Sequence, residues 1–167
     1  MGDWTGLADS GRMRRGLLLG LTLALAAMLG SCAPFVANHG SEVEFRTVKT
    51  PAGTLRLAAI EKGQGSPILL LHGFAASSYT WHAVMPELAK SHRVIAIDLR
   101  GFGASDQPLD DHNSIQDQTE AVAAFIEQEN LRDLTVIGHS FGGGITLSLA
   151  LRAGAEKQPR IRNIVLL

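Results

Sequence analysis

Four stretches of the chain are almost purely apolar, and polar segments with helical spacing fill the gaps between them. The stretches are Pro67-Ile68-Leu69-Leu70-Leu71, Arg93-Val94-Ile95-Ala96-Ile97, Leu134-Thr135-Val136-Ile137 and Ile161 to Leu167. Short unbroken apolar runs suit strands covered on both faces, as in a parallel sheet. Ahead of them, Val43 to Thr50 carries spaced apolar residues (Val43, Phe45, Val48), and Thr54 to Ile60 follows after Pro51-Ala52-Gly53. Two short strands around a Pro/Gly turn predict a hairpin. Helices are expected at Trp81 to Ala89, at Ile115 to Gln128, and at Ile145 to Arg152. In the second of these, Ile115, Val122, Phe125 and Ile126 form an apolar face. The alternation predicts an α/β domain with a mostly parallel sheet and an antiparallel N-terminal hairpin.

The longest apolar run, Gly16 to Gly30, lies outside this pattern. It holds no charge, follows Arg12, Arg14 and Arg15, and is short for a bilayer span. That is the layout of an export signal. Its end, Leu29-Gly30-Ser31-Cys32, resembles the bacterial lipobox, which implies cleavage before Cys32 and lipid attachment to it. A plain signal cut after Ala33 would leave Pro34 just behind the cut, and an uncleaved anchor would not need the small-residue cluster. Residues 1–32 are therefore read as a lipoprotein-type signal, 33–41 as a tether, and 42–167 as the folded portion. The expected location is the bacterial cell envelope, lipid-anchored to the membrane, with a secreted or periplasmic protein as the alternative. Met13-Arg14-Arg15 makes a more natural start for such a signal than Met1.

Composition narrows the field. At 167 residues the chain has room for one domain, and 46% of it is apolar, as in an ordinary globular protein. The net charge is -1 with both signs interspersed, so no basic stripe offers itself to nucleic acid. Cys32 is the only cysteine, which excludes an internal disulfide. No CxxC pair and no HExxH occurs, so local spacing suggests no metal site.

The chemistry gathers at strand ends. Gly138-His139-Ser140-Phe141-Gly142 stands directly after a predicted strand and before a helix. A tight turn of this kind strains the serine backbone, and glycines at 138 and 142 keep side chains out of the crowding. It lifts the Ser140 hydroxyl above the carboxyl ends of the strands and sets a helix N-terminus beneath a developing oxyanion. Gly143 and Gly144 extend the glycine run into the helix, where close packing against the sheet is the simplest account of them. His72-Gly73-Phe74 ends another strand, and Asp98-Leu99-Arg100-Gly101-Phe102-Gly103-Ala104-Ser105 follows a third.

With these three motifs in this order, the chain resembles an α/β-hydrolase of the HGF type over roughly Val43 to Leu167. The resemblance implies the α/β-hydrolase fold, cut off after about the sixth strand. It implies Ser140 as nucleophile and the backbone N–H groups of Phe74 and Phe141 as the oxyanion hole, with both rings shaping an apolar pocket. His72, Gly73, Gly138, His139 and Gly142 then support the elbow and its facing loop, and Asp98 and Arg100 brace the next loop through charge-assisted hydrogen bonds. No cofactor is implied. The expected partner is a small-molecule acyl substrate.

A serine nucleophile also needs a base and an acid to orient it, in this family in the order Ser, Asp or Glu, His. No histidine follows Ser140, and Glu156 is the only acidic residue beyond it. His39, His82, His92, His112 and His139 all lie before or beside the nucleophile. The expectation is the front part of a lipid-anchored serine hydrolase cleaving carboxylic ester or related acyl bonds through an acyl-enzyme. An aspartate nucleophile, as in the epoxide hydrolase and haloalkane dehalogenase branches, is disfavoured by serine at 140. The alternatives are an inactive envelope lipoprotein using the fold as a binding module, and half of a split enzyme completed by a separate C-terminal segment docked on the last strand.

Overall fold

A computed structural model describes residues 42–154 and 160–167. The segment read as a signal, with Cys32, the segment read as a tether, with His39, and Glu156 lie outside the described residues. Six strands form one sheet: β1 (Val43–Thr50), β2 (Gly53–Lys62), β3 (Ser66–Leu71), β4 (His92–Ile97), β5 (Leu134–Gly138) and β6 (Ile161–Leu166). Their spatial order is β1-β2-β4-β3-β5-β6. The hairpin pairs Thr50 with Gly53 across Pro51-Ala52, and β2 runs antiparallel to β4. All pairings among β3, β4, β5 and β6 are parallel. The mostly parallel sheet with an antiparallel start is thus observed.

The strands alternate in spite of their unbroken apolar sequence, because both faces are covered. Leu69, Leu71, Ile95, Ile97 and Val136 pack against α2 (Ile115–Gln128) and α3 (Phe141–Ala153) through Val122, Phe125, Ile126, Ile145 and Leu149. Ile68, Leu70, Val94 and Ala96 face the other way, onto Trp81 and Met85. Each such fully buried side chain contributes roughly 1.5–3 kcal/mol relative to exposure. The edge strand β6 differs: Ile164, Val165, Leu166 and Leu167 are all exposed.

Helix α2 begins where the sequence places it. Ser114 accepts the Asp117 N–H while the Asp117 carboxylate accepts from the Ser114 N–H, a reciprocal capping box. The helix expected over Trp81–Ala89 is instead a 3-10 turn (Ser78–Trp81) followed by the single turn α1 (Met85–Leu88). Pro86 has no N–H to give, so it can occupy only the first turn of a helix, and α1 cannot reach back to Trp81. Helix α3 starts at Phe141 rather than at Ile145.

The glycine run therefore lies inside α3, and its members differ. A Cβ on Gly142 would stand 2.4 Å from the Leu71 carbonyl oxygen and 2.6 Å from that of His72. One on Gly138 would stand 2.3 Å from the Gly142 carbonyl oxygen. The sheet contact expected of Gly143 and Gly144 belongs to these two instead. Gly143 has nothing nearer than 3.4 Å to its missing Cβ, and Gly144 nothing nearer than the Ile115 side chain at 3.5 Å. Helix rotation explains the difference, since only residue 142 turns its Cβ direction onto β3.

Candidate active site

β5 stops at Gly138 and α3 starts at Phe141, so two residues make the whole strand-to-helix turn. Ser140 is the N-cap of α3 at φ 52° and ψ −112°, a backbone state L-residues rarely adopt. Such a state costs on the order of 1–3 kcal/mol and persists only where the surroundings fix it. Here both neighbouring strands do so. The His139 N–H donates to the Leu71 carbonyl of β3 at 3.0 Å, and the Ser140 N–H donates to the Leu167 carbonyl just past β6 at 2.9 Å. The Leu167 N–H returns to the Gly138 carbonyl at 3.0 Å, and the Gly142 N–H closes the turn onto the His139 carbonyl at 2.9 Å. The Ser140 side chain does not cap its helix. It is exposed, and its hydroxyl has no hydrogen-bond partner among the described residues.

The loop after β3 closes against this turn. A Cβ on Gly73 would lie 3.0 Å from His139 Nδ1, which would have to shift by a few tenths of an ångström, and 3.5 Å from Ser140 Cβ, so the loop and the turn are in direct contact. The backbone N–H groups of Phe74 and Phe141 donate to nothing among the described residues. Two unspent donors thus lie on the two segments that meet at the exposed serine, and one of them opens a helix. This arrangement can stabilise negative charge on an oxygen held beside Ser140.

His72 is fully buried and has both ring nitrogens engaged. Its Nε2 accepts from the Leu99 N–H at 3.0 Å, and its Nδ1 lies 2.7 Å from the Gly73 carbonyl oxygen. Burial pushes its pKa down, opposed by the Gly73 hydrogen bond and the Asp98 charge. A histidine so occupied is not free to take the Ser140 proton.

Asp98 and Arg100, both buried, hold the loop after β4 by different routes. The Asp98 carboxylate accepts from the Ser78 N–H at 2.6 Å and the Ala104 N–H at 2.8 Å, while the Ser105 hydroxyl donates to its backbone carbonyl. It thereby ties the loop after β3 to the loop after β4. Gly103, at φ 55°, is required here, because a Cβ would fall 2.1 Å from Asp98 Oδ2. Arg100 reaches Asp110, both of whose oxygens lie 2.6 Å from Nη2. That hydrogen bond is the main reason the Asp110 pKa lies below the usual carboxylate value.

Phe102 is the site residue that the sequence reading left in a bracing loop. Its ring meets Phe74 edge to face at 5.5 Å, Phe141 at 6.3 Å and His72 at 5.7 Å, and Phe74 meets Phe141 at 6.0 Å. Two loops and the head of α3, separated along the chain, thus deliver three aromatic rings to one place. The signal was an aromatic residue just past a strand's carboxyl end, but nothing local says which way it points. Among the described residues no group of three or more His, Cys, Asp or Glu side chains is placed to hold a metal ion.

Comparison with known proteins agrees with this geometry. Residues 66–167 match the family described as alpha/beta hydrolase fold. A 2-hydroxymuconate semialdehyde hydrolase from a Pseudomonas species is 35% identical over 119 residues, covering 70% of this chain and 41% of that protein. A haloalkane dehalogenase from Agrobacterium fabrum is 34% identical over 120 residues, covering 68% and 39%. Among solved structures, an epoxide hydrolase from Vigna radiata superposes with a TM-score of 0.65 at 27% identity, over 75% of this chain and 39% of that one. A bromoperoxidase from Bacillus anthracis gives 0.63 at 28% identity, over 74% and 44%. The chain spans about two fifths of the length of these curated relatives.

Proposed function

The chain belongs to the alpha/beta hydrolase fold family, and on that premise we propose that it supplies the nucleophile and oxyanion hole of a serine hydrolase acting on carboxylic ester or related acyl bonds. The observation that carries this reading is the exposed, strained Ser140 at the head of α3, where the loop carrying the unspent Phe74 N–H closes on the turn that carries the unspent Phe141 N–H. Ser140 Oγ adds to the substrate carbonyl carbon as its proton passes to a general base. The carbonyl oxygen takes the electron pair and is held by the two N–H groups. Collapse expels the alcohol, protonated by the same base, and leaves an acyl-enzyme that water cleaves in a second addition. Each backbone donor that meets the oxyanion only in the transition state is worth on the order of 10²–10³ in rate. His72, with both ring nitrogens engaged, does not serve as that base. Serine at position 140 favours acyl transfer over the chemistries named for the dehalogenase and epoxide hydrolase relatives. The rings of Phe74, Phe102 and Phe141 suit an apolar acyl group.

Fluorophosphonate labelling of the native host envelope tests the reading, with a Ser140→Ala control and an antibody to this chain. A Ser140-dependent labelled band supports it, and the mass of that band reports the length of the active polypeptide. A protein that is present and never labels sinks the enzyme reading, and a binding module takes its place. We propose further that Cys32 is lipidated, anchoring the protein to the membrane. Metabolic labelling with an alkyne fatty acid, lost in Cys32→Ala, checks it.

A further inference from the structure

Three rings meet at the turn that carries the nucleophile. Phe141 follows Ser140 directly, and the loop that carries Phe74 touches that turn, with 3.5 Å between the position of a Gly73 Cβ and Ser140 Cβ. Phe102 comes from the loop after β4. Its ring stands at 75° to that of Phe74 and 61° to that of Phe141, and the Phe74 ring stands at 88° to that of Phe141. All three pairs are edge to face, at centroid separations inside the range of roughly 4.5–7 Å where aromatic rings attract one another.

The rings are not held alike. Phe102 packs on the hydrophobic core, and its backbone is fixed on both sides: its N–H donates to the Leu99 carbonyl at 2.9 Å, and its carbonyl accepts the Ser105 N–H at 3.1 Å. Phe141 is the first residue of α3 and also packs on the core. Phe74 is 73% exposed and leans on these two rings. Its open surface is therefore offered to a ligand, while its place is set by rings anchored in the core. The charged residues of the Phe102 loop are turned to other tasks: Asp98 and Arg100 are buried, the first bound to the Ser78 and Ala104 N–H groups and the second to Asp110.

We propose that Phe74, Phe102 and Phe141 form an acyl-recognition wall that selects aromatic over saturated acyl groups, and that Phe102 sets this selectivity by holding the Phe74 ring. The inference rests on the serine hydrolase reading and deepens it by naming the substrate class. A saturated ring gains only the burial of its surface against such a wall. A flat aromatic ring of the same size gains that burial and an edge-to-face or offset contact besides, because its rim is electropositive and the open face of Phe74 is electronegative. One contact of this kind is worth about 2- to 10-fold in affinity.

Two boronic acids matched in size isolate this contact. Phenylboronic acid and cyclohexylboronic acid form tetrahedral adducts on a serine hydroxyl, so each places its ring where an acyl group lies in the transition state. The concentration of each that halves Ser140-dependent fluorophosphonate labelling is measured in the native host envelope. Comparing the ratio of the two between variants cancels the intrinsic difference in boron acidity. Phe102→Leu should shift the ratio about 2- to 10-fold toward the cyclohexyl compound, and Phe102→Tyr, which keeps the ring, should leave it at the wild-type value. The ratio does not depend on how much folded protein is present, so a merely structural role for Phe102 leaves it unmoved. Phe74→Leu, at an exposed position that does not put the core at risk, should shift it the same way, and it decides the matter if Phe102→Leu does not fold. A wild-type ratio in either leucine variant overturns the proposal. A wild type with no Ser140-dependent labelling overturns the hydrolase reading itself, and this inference with it.

Discussion

Replacing Gly142 by alanine tests how far the nucleophile turn depends on backbone contact. The added Cβ would meet three backbone atoms of β3 and its following residue: the Leu71 carbonyl oxygen at 2.4 Å, the His72 carbonyl oxygen at 2.6 Å and the Leu71 carbonyl carbon at 2.7 Å. Ordinary carbon–oxygen contact begins about 1 Å further out, and strand backbone cannot yield as a side chain could. Helix α3 must therefore lift from β3 by about 1 Å. Overpacking of this kind destabilises by roughly 1–3 kcal/mol, and alanine's better helix propensity returns about 1 kcal/mol of it. The larger effect falls on chemistry. Ser140 and the Phe141 N–H ride on the end of that helix, and a 1 Å misplacement is worth on the order of 10²-fold in rate. Gly143→Ala is the control, since its Cβ would find the Gly138 carbonyl oxygen at 3.4 Å and nothing closer. Urea melts should give a net loss of up to about 2 kcal/mol for Gly142→Ala, and a gain of up to about 1 kcal/mol for Gly143→Ala. Fluorophosphonate labelling rates measured alongside should drop about 100-fold in Gly142→Ala and stay within a fewfold in Gly143→Ala. Equal behaviour of the two variants in both assays would refute the reasoning.

Three further outcomes are expected. Ser140→Gly should abolish labelling yet raise stability by about 1 kcal/mol, read from a urea melt, because glycine tolerates φ 52°. His72 links stability to pH. Its folded-state pKa is lowered by burial, so the unfolded chain binds the extra proton first. That contribution is whole above the ordinary histidine value of about 6.5 and is lost as pH falls below it toward the folded value. His72→Asn should therefore lose less stability than the wild type between about pH 7.5 and pH 5.5, and a wild type that gains stability on acidification over that range would contradict the sign. Glu61 pairs with Arg93 at 2.7 Å and faces Arg46 at 3.6 Å, and Glu129 sits between the same two guanidinium groups. Glu61→Gln should cost about 1 kcal/mol or less in a thermal melt at low salt, shrinking as ionic strength rises, because these groups are partly exposed.

Much of the fold was legible in order and kind. The unbroken runs ending at Leu71, Ile97 and Ile137 read as parallel strands because a sheet covered on both faces leaves no polar alternation to show. The hairpin was legible from Pro51-Ala52-Gly53, and α2 from its apolar face. Trp81–Ala89 misled, since its apolar content comes from a 3-10 turn and a separate helical turn that share one buried patch. For α3 the apolar pattern marks only Ile145 to Arg152, because three glycines carry no side chains to show a helical face and have low helix propensity. Tertiary contact with β3 overrode that propensity.

Residue order alone marks the strand ends and the residue types standing at them: Ser140 between glycines, His72-Gly73-Phe74, and Asp98 with Gly103. These are properties of local backbone geometry, where a tight turn or a close approach admits few residues. The tertiary structure alone decided which of these ends face one another. It brought Phe102 to Phe74 and Phe141, put the Asp98 carboxylate on the Ser78 N–H, and gave the two nitrogens of His72 to separate loops. Side-chain direction past a strand end is set by packing with residues distant in the chain, and hydrophobic periodicity carries no record of it.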